Sequence, residues 1–545
     1  MGNIEDLKFL IPQINFRVGD INYNVSQIID SIKEGESNDV DFILFPELAL
    51  SGYPPRDILY YDDFLDQIQL SVDKIINSIT NTHVILGLPI KDQNNILRNA
   101  AIVINKNGIV HTYYKILLPD YNVFDETRYF LSADNPSVFK YHDMMIGLQI
   151  CEDAWDHLPN HQIQVTKKQS DLGADLIINI SASPFTVNKP NERLNLIKSH
   201  VKNIQLPFIY VNLLGCQDDL VFDGRSFVVN ANGELIFFTD SFESKNYYFD
   251  LKNNQEKDSP YVLSKYKEII SAIKLNLQDY LIKSNLSKKV IVALSGGIDS
   301  AVTLTLCVKS LGSENVTAVY MPSKFSAADN LKYSKELCAN LGITLLSTNI
   351  EDMRNIITKQ LNLDFNLNSQ WNIADENIQS RIRSLIMMYY SNSTNSILIS
   401  TGNKSEIATG YCTLYGDTSG GKNLIGDLYK TEVYELAKFI NEISMTIPSF
   451  IIERPPSAEL KDNQFDLDSL PSYELLDEIL YLIIEEYSDQ SKLIKLGYDK
   501  FIVEKIMNLV VNNEFKRKQF PQSIKLSDVA FGFGRRFPTA NKFIP

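Results

Sequence analysis

Lys288-Lys-Val-Ile-Val-Ala-Leu-Ser-Gly-Gly-Ile-Asp-Ser300 decides how this chain is read. The apolar run Val290 to Leu294 is the pattern of a strand buried on both faces of a parallel sheet. It stops at Ser295-Gly-Gly-Ile-Asp-Ser300, and Ala301-Val-Thr-Leu-Thr-Leu-Cys-Val308 then reads as a packed helix. A strand, a glycine turn and a helix N-terminus together make an anion site. The glycines let backbone N–H groups approach a phosphate chain, the helix end adds partial positive charge, and the hydroxyls add donors. Asp299 repels such a chain unless a divalent cation lies between them, so the residue implies magnesium.

Outward from this loop, short β-rich runs alternate with amphipathic stretches. Leu7–Ile14, Phe42–Phe45, Val84–Leu88, Ala100–Ile104, Met145–Ile150, Leu176–Ile180 and Phe208–Val211 read as strands. Helical periodicity appears at Val25–Lys33 and Phe64–Ile79. The pattern breaks at Asp250-Leu-Lys-Asn-Asn-Gln-Glu-Lys-Asp-Ser-Pro260, polar, Asn-rich and closed by proline, which is linker chemistry. A helix is expected from Tyr266 to Ile282, further strands at Val316–Tyr320 and Ile397–Ser400, and a mostly helical tail over Ser472–Val511. Strands alternating with helices predict a doubly wound parallel sheet. The expected domains are 1–250 and 263–545, joined by a linker at 251–262.

With 545 residues the chain exceeds one hydrophobic core, and its 44% hydrophobic and 22% charged content suits a globular protein. A net charge of −15 argues against nucleic-acid or acidic-membrane partners, since neither gains counterion-release energy from it. Five scattered cysteines form no disulfide framework. The segment Met1–Lys8 lacks a basic, then apolar, leader pattern, and no apolar run is long enough to span a bilayer. A cytoplasmic location is expected.

The first half carries three chemically notable residues near strand ends. Glu47 lies in Phe42-Ile-Leu-Phe-Pro-Glu-Leu48, Lys115 in His111-Thr-Tyr-Tyr-Lys-Ile-Leu-Leu-Pro119, and Cys151 in Ile146-Gly-Leu-Gln-Ile-Cys-Glu-Asp153. Singly, the cysteine reads as a small core residue and the two charges as solvated. As a set they suit acyl transfer: a thiolate attacks, a carboxylate takes its proton, and an ammonium stabilises the oxyanion. In order, context and spacing they resemble the Glu-Lys-Cys triad of the nitrilase superfamily. Glu126, in Val123-Phe-Asp-Glu-Thr-Arg128, matches a supporting glutamate of that fold.

The resemblance narrows further. Gln13-Ile-Asn-Phe-Arg-Val-Gly-Asp20, Ser51-Gly-Tyr-Pro-Pro-Arg-Asp57 and Leu220-Val-Phe-Asp-Gly-Arg-Ser-Phe227 resemble the glutaminase domain of the glutamine-dependent NAD⁺ synthetase family. That match implies Tyr121, Ser183 and Lys189 as glutamine-binding residues, the last two in a loop after the Leu176 strand. Cys216 stands where the family has a second glycine, and is not taken for a nucleophile.

Ser295–Ser300 resembles the S-G-G-x-D-S loop of enzymes that cut ATP into AMP and pyrophosphate. The family match extends through the second half and implies ATP contacts from Leu294, Ser295, Gly296, Gly297, Ile298, Asp299, Ser300, Thr401, Lys430 and Ser457. It implies dinucleotide contacts from Asn377, in Glu376-Asn-Ile-Gln-Ser-Arg-Ile-Arg383, from Glu406, and from Lys516. In short relatives the glutamate matching Glu406 is a metal ligand and in long ones a dinucleotide contact; Asp299 and Glu406 are the candidate Mg²⁺ ligands. The implied fold is an N-terminal nitrilase-like α/β sandwich followed by an ATP-pyrophosphatase domain. The implied substrates are deamido-NAD⁺, ATP and L-glutamine, in a homo-oligomer.

Gly416-Asp-Thr-Ser-Gly-Gly-Lys-Asn423 nearly spells a Walker P-loop. Asn423 occupies the hydroxyl position, and Gly410–Tyr415 makes a poor preceding strand. The family has a mobile loop here, usually with an apolar residue where Lys422 stands. Pro159 between His157 and His161 speaks against a zinc helix. The rivals are a GMP- or asparagine-synthetase type of amidotransferase and a degenerate scaffold. Gly2 and the Glu47, Lys115, Cys151 set disfavour the first, and the complete triad and loop disfavour the second.

Overall fold

The computed structural model describes residues 4–159, 161–252, 260–367, 371–461, 464, 466–468 and 470–545. Most of the linker expected at 251–262 lies outside the described residues. Contacts divide the chain into two compact units, Met1–Lys265 and Tyr266–Pro545.

The first unit is built on two six-stranded sheets. One runs in the order Lys245–Asp250, Lys8–Gln13, Phe42–Leu44, His83–Lys91, Leu97–Asn105, Gly108–Tyr114. The other runs Leu235–Phe238, Phe227–Val229, Phe208–Asn212, Leu176–Ser181, Met144–Ile150, Val138–Tyr141. Side chains alternate across a strand, so a continuous apolar run supplies two cores at once. Phe9, Ile11, Phe42, Leu44, Ile85 and Val103 meet Ile146, Leu148, Ile178, Ile209 and Val228 between the sheets. Leu10, Ile43, Val84 and Ile102 point the other way, onto Val25, Ile28 and Ile32 of helix Ile21–Ser37 and Ile68, Val72 and Ile75 of helix Asp62–Ile76. Ile177, Phe208, Phe227 and Val229 likewise meet Leu196, Ile197 and Val201 of helix Lys189–Ile204. The layers are helix, sheet, sheet, helix, the sandwich expected. Asp20 caps the first helix by accepting from the Tyr23 N–H, at 3.2 Å.

The second unit holds a five-stranded parallel sheet in the order Leu345–Ser347, Val316–Tyr320, Val290–Ala293, Ile397–Ser400, Lys422–Asn423. Counted along the chain the order is third, second, first, fourth, fifth. It reverses between Val290–Ala293 and Ile397–Ser400, and ligands of such sheets bind outside the carboxyl ends of the strands at that switch point. Helix Ile298–Leu311 packs on one face and helix Ile373–Thr394 on the other, with Ile382 and Met387 against Ile291, Val319 and Leu398. The tail is helical at Tyr473–Ile484, Gln490–Lys495 and Lys500–Asn512. Among the described residues no helix is long and apolar enough to cross a membrane.

Two local expectations change. The helix after the glycine turn begins at Ile298, so Asp299 and Ser300 lie in its first turn instead of preceding it. Lys189 is the first residue of helix Lys189–Ile204 and not part of the loop before it, because Pro190 fits an opening helical turn whose N–H needs no intrahelical partner.

Candidate active site

Three chain crossings converge in the first unit. Strand Phe42–Leu44 runs out through Phe45-Pro46 to Glu47, strand Gly108–Tyr114 ends one residue before Lys115, and strand Met144–Ile150 ends one residue before Cys151. Gly87 lets the Glu47 turn come close: a Cβ there would stand 2.5 Å from the Pro46 carbonyl oxygen and the Leu48 nitrogen. The Lys115 ammonium donates to Glu47 Oε1 at 2.7 Å and to both Glu126 oxygens at 2.8 Å, and all three side chains are buried. Glu47 also accepts from Asn99 Nδ2 at 2.8 Å and from the Ala182 N–H at 2.9 Å. The Ala182 bond aims its carboxylate; Asn99 Nδ2 reaches on to Glu126 at 3.3 Å.

Removing one partner from a buried ion group costs about 3–5 kcal/mol, because a charge is left without compensation. Here one ammonium serves two carboxylates, and the electrostatics record the imbalance. Burial opposes the Lys115 ammonium, but Glu126 and Glu47 outweigh it and hold its pKa well above the ordinary lysine value. Burial, with Glu47 adding to it, pushes the Glu126 carboxyl up to about 7. Burial and then Glu47 raise the Cys151 thiol well above its ordinary value, with Lys115 acting the other way. Burial and Glu47 thus favour the thiol over the thiolate at Cys151. Cys151 stands at φ +44°, a left-handed backbone that costs a non-glycine residue about 1–3 kcal/mol and is found where a reactive group must be presented.

The glutamine residues implied by resemblance surround this elbow. The Tyr121 hydroxyl donates to Glu152, the residue after Cys151, at 3.1 and 3.2 Å, and His161 contacts the same carboxylate at 3.0 Å. Ser183 follows Ala182, and its N–H donates to Asn212 Oδ1 at 2.9 Å. The Lys189 ammonium lies 4.1 Å from the ring centre of Trp155, which closes the short helix begun by Cys151. Cys216 is buried in the two-stranded ribbon Leu214–Gln217 and Leu220–Asp223. Glu152 was missed although it stands inside the quoted Cys151 motif; Asn99, in a strand with no motif, carries no such signal.

In the second unit the switch point opens into a cavity of about 280 Å³. Leu294, Ser295, Gly297, Ile298, Asp299, Ser300, Thr401, Glu406, Lys430 and Ser457 line it. Gly296 does not, but its φ of +89° and the Asn330 side chain, 2.8 Å from any added Cβ, leave room for glycine alone. The Ser300 hydroxyl accepts from the Ser295 N–H at 3.2 Å and donates to the Gly297 carbonyl at 3.0 Å. The loop is thereby folded back on a helix whose first N–H groups have no intrahelical acceptor.

Asp299 meets the Lys430 ammonium at 2.5 Å and accepts from Asn403 Nδ2 at 2.9 Å. Glu406 lies 3.5 Å from the same ammonium. Burial and then Asp299 push the Glu406 carboxyl up to about 8. Asp466, absent from the sequence reading, joins the lining and accepts from Tyr473 at 2.9 Å. Ser457 turns its hydroxyl onto the Gln464 carbonyl. Asn377 and Lys516 lie outside the lining, on separate helices, but both bond to the segment 410–413 that contributes Tyr411 and Cys412 to it: Asn377 accepts from Thr413 at 2.8 Å, and Lys516 donates to the Gly410 and Cys412 carbonyls at 2.7 and 3.1 Å. Lys422 and Asn423 form the fifth strand, and Asn423 donates to the Gly402 carbonyl at 2.8 Å, steadying the Thr401 loop. Of the near-Walker segment only Lys422 and Asn423 are strand; Gly416, Asp417 and Ser419 lie in a loop that lines the cavity, and no P-loop strand precedes it.

The carbon-nitrogen hydrolase family model matches residues 11–255, and the NAD synthase model matches 269–520. The glutamine-dependent NAD(+) synthetase of Aquifex aeolicus is 38% identical over 98% of this chain and 100% of its own length. The chain belongs to the glutamine-dependent NAD(+) synthetases. The synthetase of Acinetobacter baylyi is 36% identical over 99% of this chain and 100% of its own. Among solved structures, the glutamine-dependent NAD+ synthetase of Acinetobacter baumannii in complex with ADP is 35% identical, covers 98% of both chains and superposes with a TM-score of 0.78. Membership joins the two sites in one synthetase, the first unit carrying the hydrolase chemistry and the second the ligase.

Proposed function

We infer that Cys151, Glu47 and Lys115 release ammonia from glutamine, and that the Ser295–Ser300 cavity spends ATP to attach it to deamido-NAD⁺. As a glutamine-dependent NAD(+) synthetase the chain amidates deamido-NAD⁺ through an adenylated intermediate, releasing AMP and pyrophosphate. The observation that carries the division of labour is the pair of separately complete constellations, a buried ion group beside a strained cysteine and an anion loop beside Lys430.

In the first site Glu47 takes the Cys151 proton as Sγ attacks the glutamine amide carbon. The Lys115 ammonium, held by Glu47 and Glu126, stabilises the oxyanion, and the proton on Glu47 leaves with ammonia. Water then cleaves the thioester. Tyr121, Ser183 and Lys189 bind the glutamine, and Glu152, beneath the Tyr121 hydroxyl, adds a negative charge suited to its α-ammonium. In the second site a carboxylate oxygen of the nicotinic acid ring attacks the α-phosphorus, pyrophosphate departs, and ammonia displaces AMP from the acyl adenylate. The loop N–H groups and Lys430 take the phosphates, with Thr401 and Ser457 beside them. Asn377, Glu406 and Lys516 serve the dinucleotide.

Magnesium fits the residues present. Asp299 and Glu406 offer hard carboxylate oxygens, and Glu406 is a carboxyl that burial and Asp299 leave short of positive charge. No cage of three or more His, Cys, Asp or Glu occurs among the described residues, as suits an ion that completes its shell with substrate phosphates and water. Bound there, it neutralises charge on the pyrophosphate leaving group. A homo-oligomer in the cytoplasm completes the proposal.

Incubation with ATP, glutamine and deamido-NAD⁺, followed by mass spectrometry, is expected to yield NAD⁺ and AMP; another nucleotide product sinks the assignment. Lys115→Met is expected to lower glutaminase turnover by about 10²–10³-fold, with less effect on glutamine binding, since the charge acts on the oxyanion. Thioester formation at the normal rate in single-turnover measurements would refute that role.

A further inference from the structure

We propose that Asp153 is the positioning residue of the glutaminase site, a single carboxylate that sets the separation of the Lys115 ammonium from the Cys151 thiol. The inference rests on the glutaminase reading of that site. Asp153 is fully buried. Its Oδ1 accepts from the N–H groups of Ile116 and Leu117, the two residues after Lys115, at 3.1 and 2.8 Å. Its Oδ2 accepts from the N–H of Ile150, the residue before Cys151, at 3.0 Å. The Tyr113 hydroxyl, two residues before Lys115, donates to the same oxygen at 2.8 Å.

One rigid group therefore fastens the lysine-bearing crossing to the cysteine elbow. The two come from strands of different sheets, Gly108–Tyr114 and Met144–Ile150, and no backbone ladder joins them. Apolar packing between sheets tolerates small slips, whereas charge-assisted hydrogen bonds fix direction and distance. The left-handed Cys151 backbone also depends on its neighbours, and the Ile150 bond lies at its shoulder. Asparagine cannot serve in its place: its oxygen keeps the Ile116 and Leu117 bonds, but its NH₂ opposes the Ile150 N–H.

Asp153→Asn is expected to lower kcat for glutamine hydrolysis about 10²-fold, the scale of a misplacement near 1 Å, with the KM for glutamine unchanged. The acylation step in single-turnover experiments falls by the same factor. Ammonium-driven NAD⁺ synthesis stays at the wild-type rate and reports that the chain is folded. Tyr113→Phe keeps the three backbone donors and is expected to slow acylation by about tenfold or less, again without moving KM. A folded Asp153→Asn enzyme with normal acylation, or with its whole loss in KM, overturns the proposal. If that variant also loses ammonium-driven activity, Tyr113→Phe decides: slowed acylation at constant KM upholds the role and unchanged acylation overturns it. Failure of the glutaminase reading itself looks different, since the wild-type chain then forms no thioester with glutamine.

Discussion

Cys151→Ala abolishes NAD⁺ synthesis from glutamine and leaves synthesis from added ammonium at close to the wild-type rate. The loss expected is at least ~10⁴-fold, because the nucleophile defines the first covalent step and nothing near it can substitute. Glu47 and Glu126 are already committed to Lys115, at 2.7 and 2.8 Å, and Cys216 is buried in a separate ribbon. Alanine removes a buried sulfur and leaves the ion group intact, so the cost to folding is small beside the catalytic loss. In the proposed division of labour the ammonium-driven rate rests on the Ser295–Ser300 loop, Lys430 and Glu406, none of which belongs to the unit that holds Cys151. Both activities are read on one preparation, by NAD⁺ formation with glutamine and then with ammonium chloride. Loss of both in a folded variant assigns Cys151 to the wrong half-reaction.

Most strands that sequence located are buried on both faces, although the equally buried Leu220–Asp223 and Phe227–Val229, at four and three residues, were too short to show a run. Phe42–Leu44 and Val290–Ala293 are apolar at every position, Leu176–Ser181 is buried throughout with only Asn179 and Ser181 polar, and helices or a second sheet cover each side. Gly108–Tyr114, Val138–Tyr141 and Lys245–Asp250 escaped because they lie at sheet edges, where half-exposed residues such as Val110, Lys140 and Lys245 blur the alternation. The site divides in the same way. Residues inside a contiguous motif, such as Asp299 or Cys151, announce themselves through the turn that presents them. Contacts made by folding do not: Asp299 meets Lys430 across 131 positions, and Glu47 meets Ala182 across 135. Asn99 sits in an ordinary strand, and only the closing of Glu47 and Glu126 upon it gives it a task.

Asp299→Asn is expected to stop NAD⁺ formation from either nitrogen source while glutamine hydrolysis continues at a basal rate. The replacement is nearly isosteric, and Ile298–Leu311 keeps its helix because Asp299 packs in the first turn without capping it. What changes is charge. Asp299 is the nearer of the two carboxylates on the Lys430 ammonium, 2.5 Å against 3.5 Å for Glu406, and it also orients Asn403. With asparagine there, Lys430 retains one carboxylate partner, Glu406, and that group is pushed up to about 8 by burial and by Asp299 itself. Without Asp299 the ammonium loses its nearer carboxylate and is expected to be held by Glu406 alone, away from the position in which it faces the loop. The cavity also loses one of its two candidate magnesium carboxylates, where shielding of the departing pyrophosphate is needed. The decisive measurement is pyrophosphate release with ATP, deamido-NAD⁺ and ammonium across a magnesium titration. Release restored only at high magnesium marks Asp299 as a residue that holds the ion, whereas wild-type release at low magnesium excludes it and leaves Asp299 as the partner that aims Lys430.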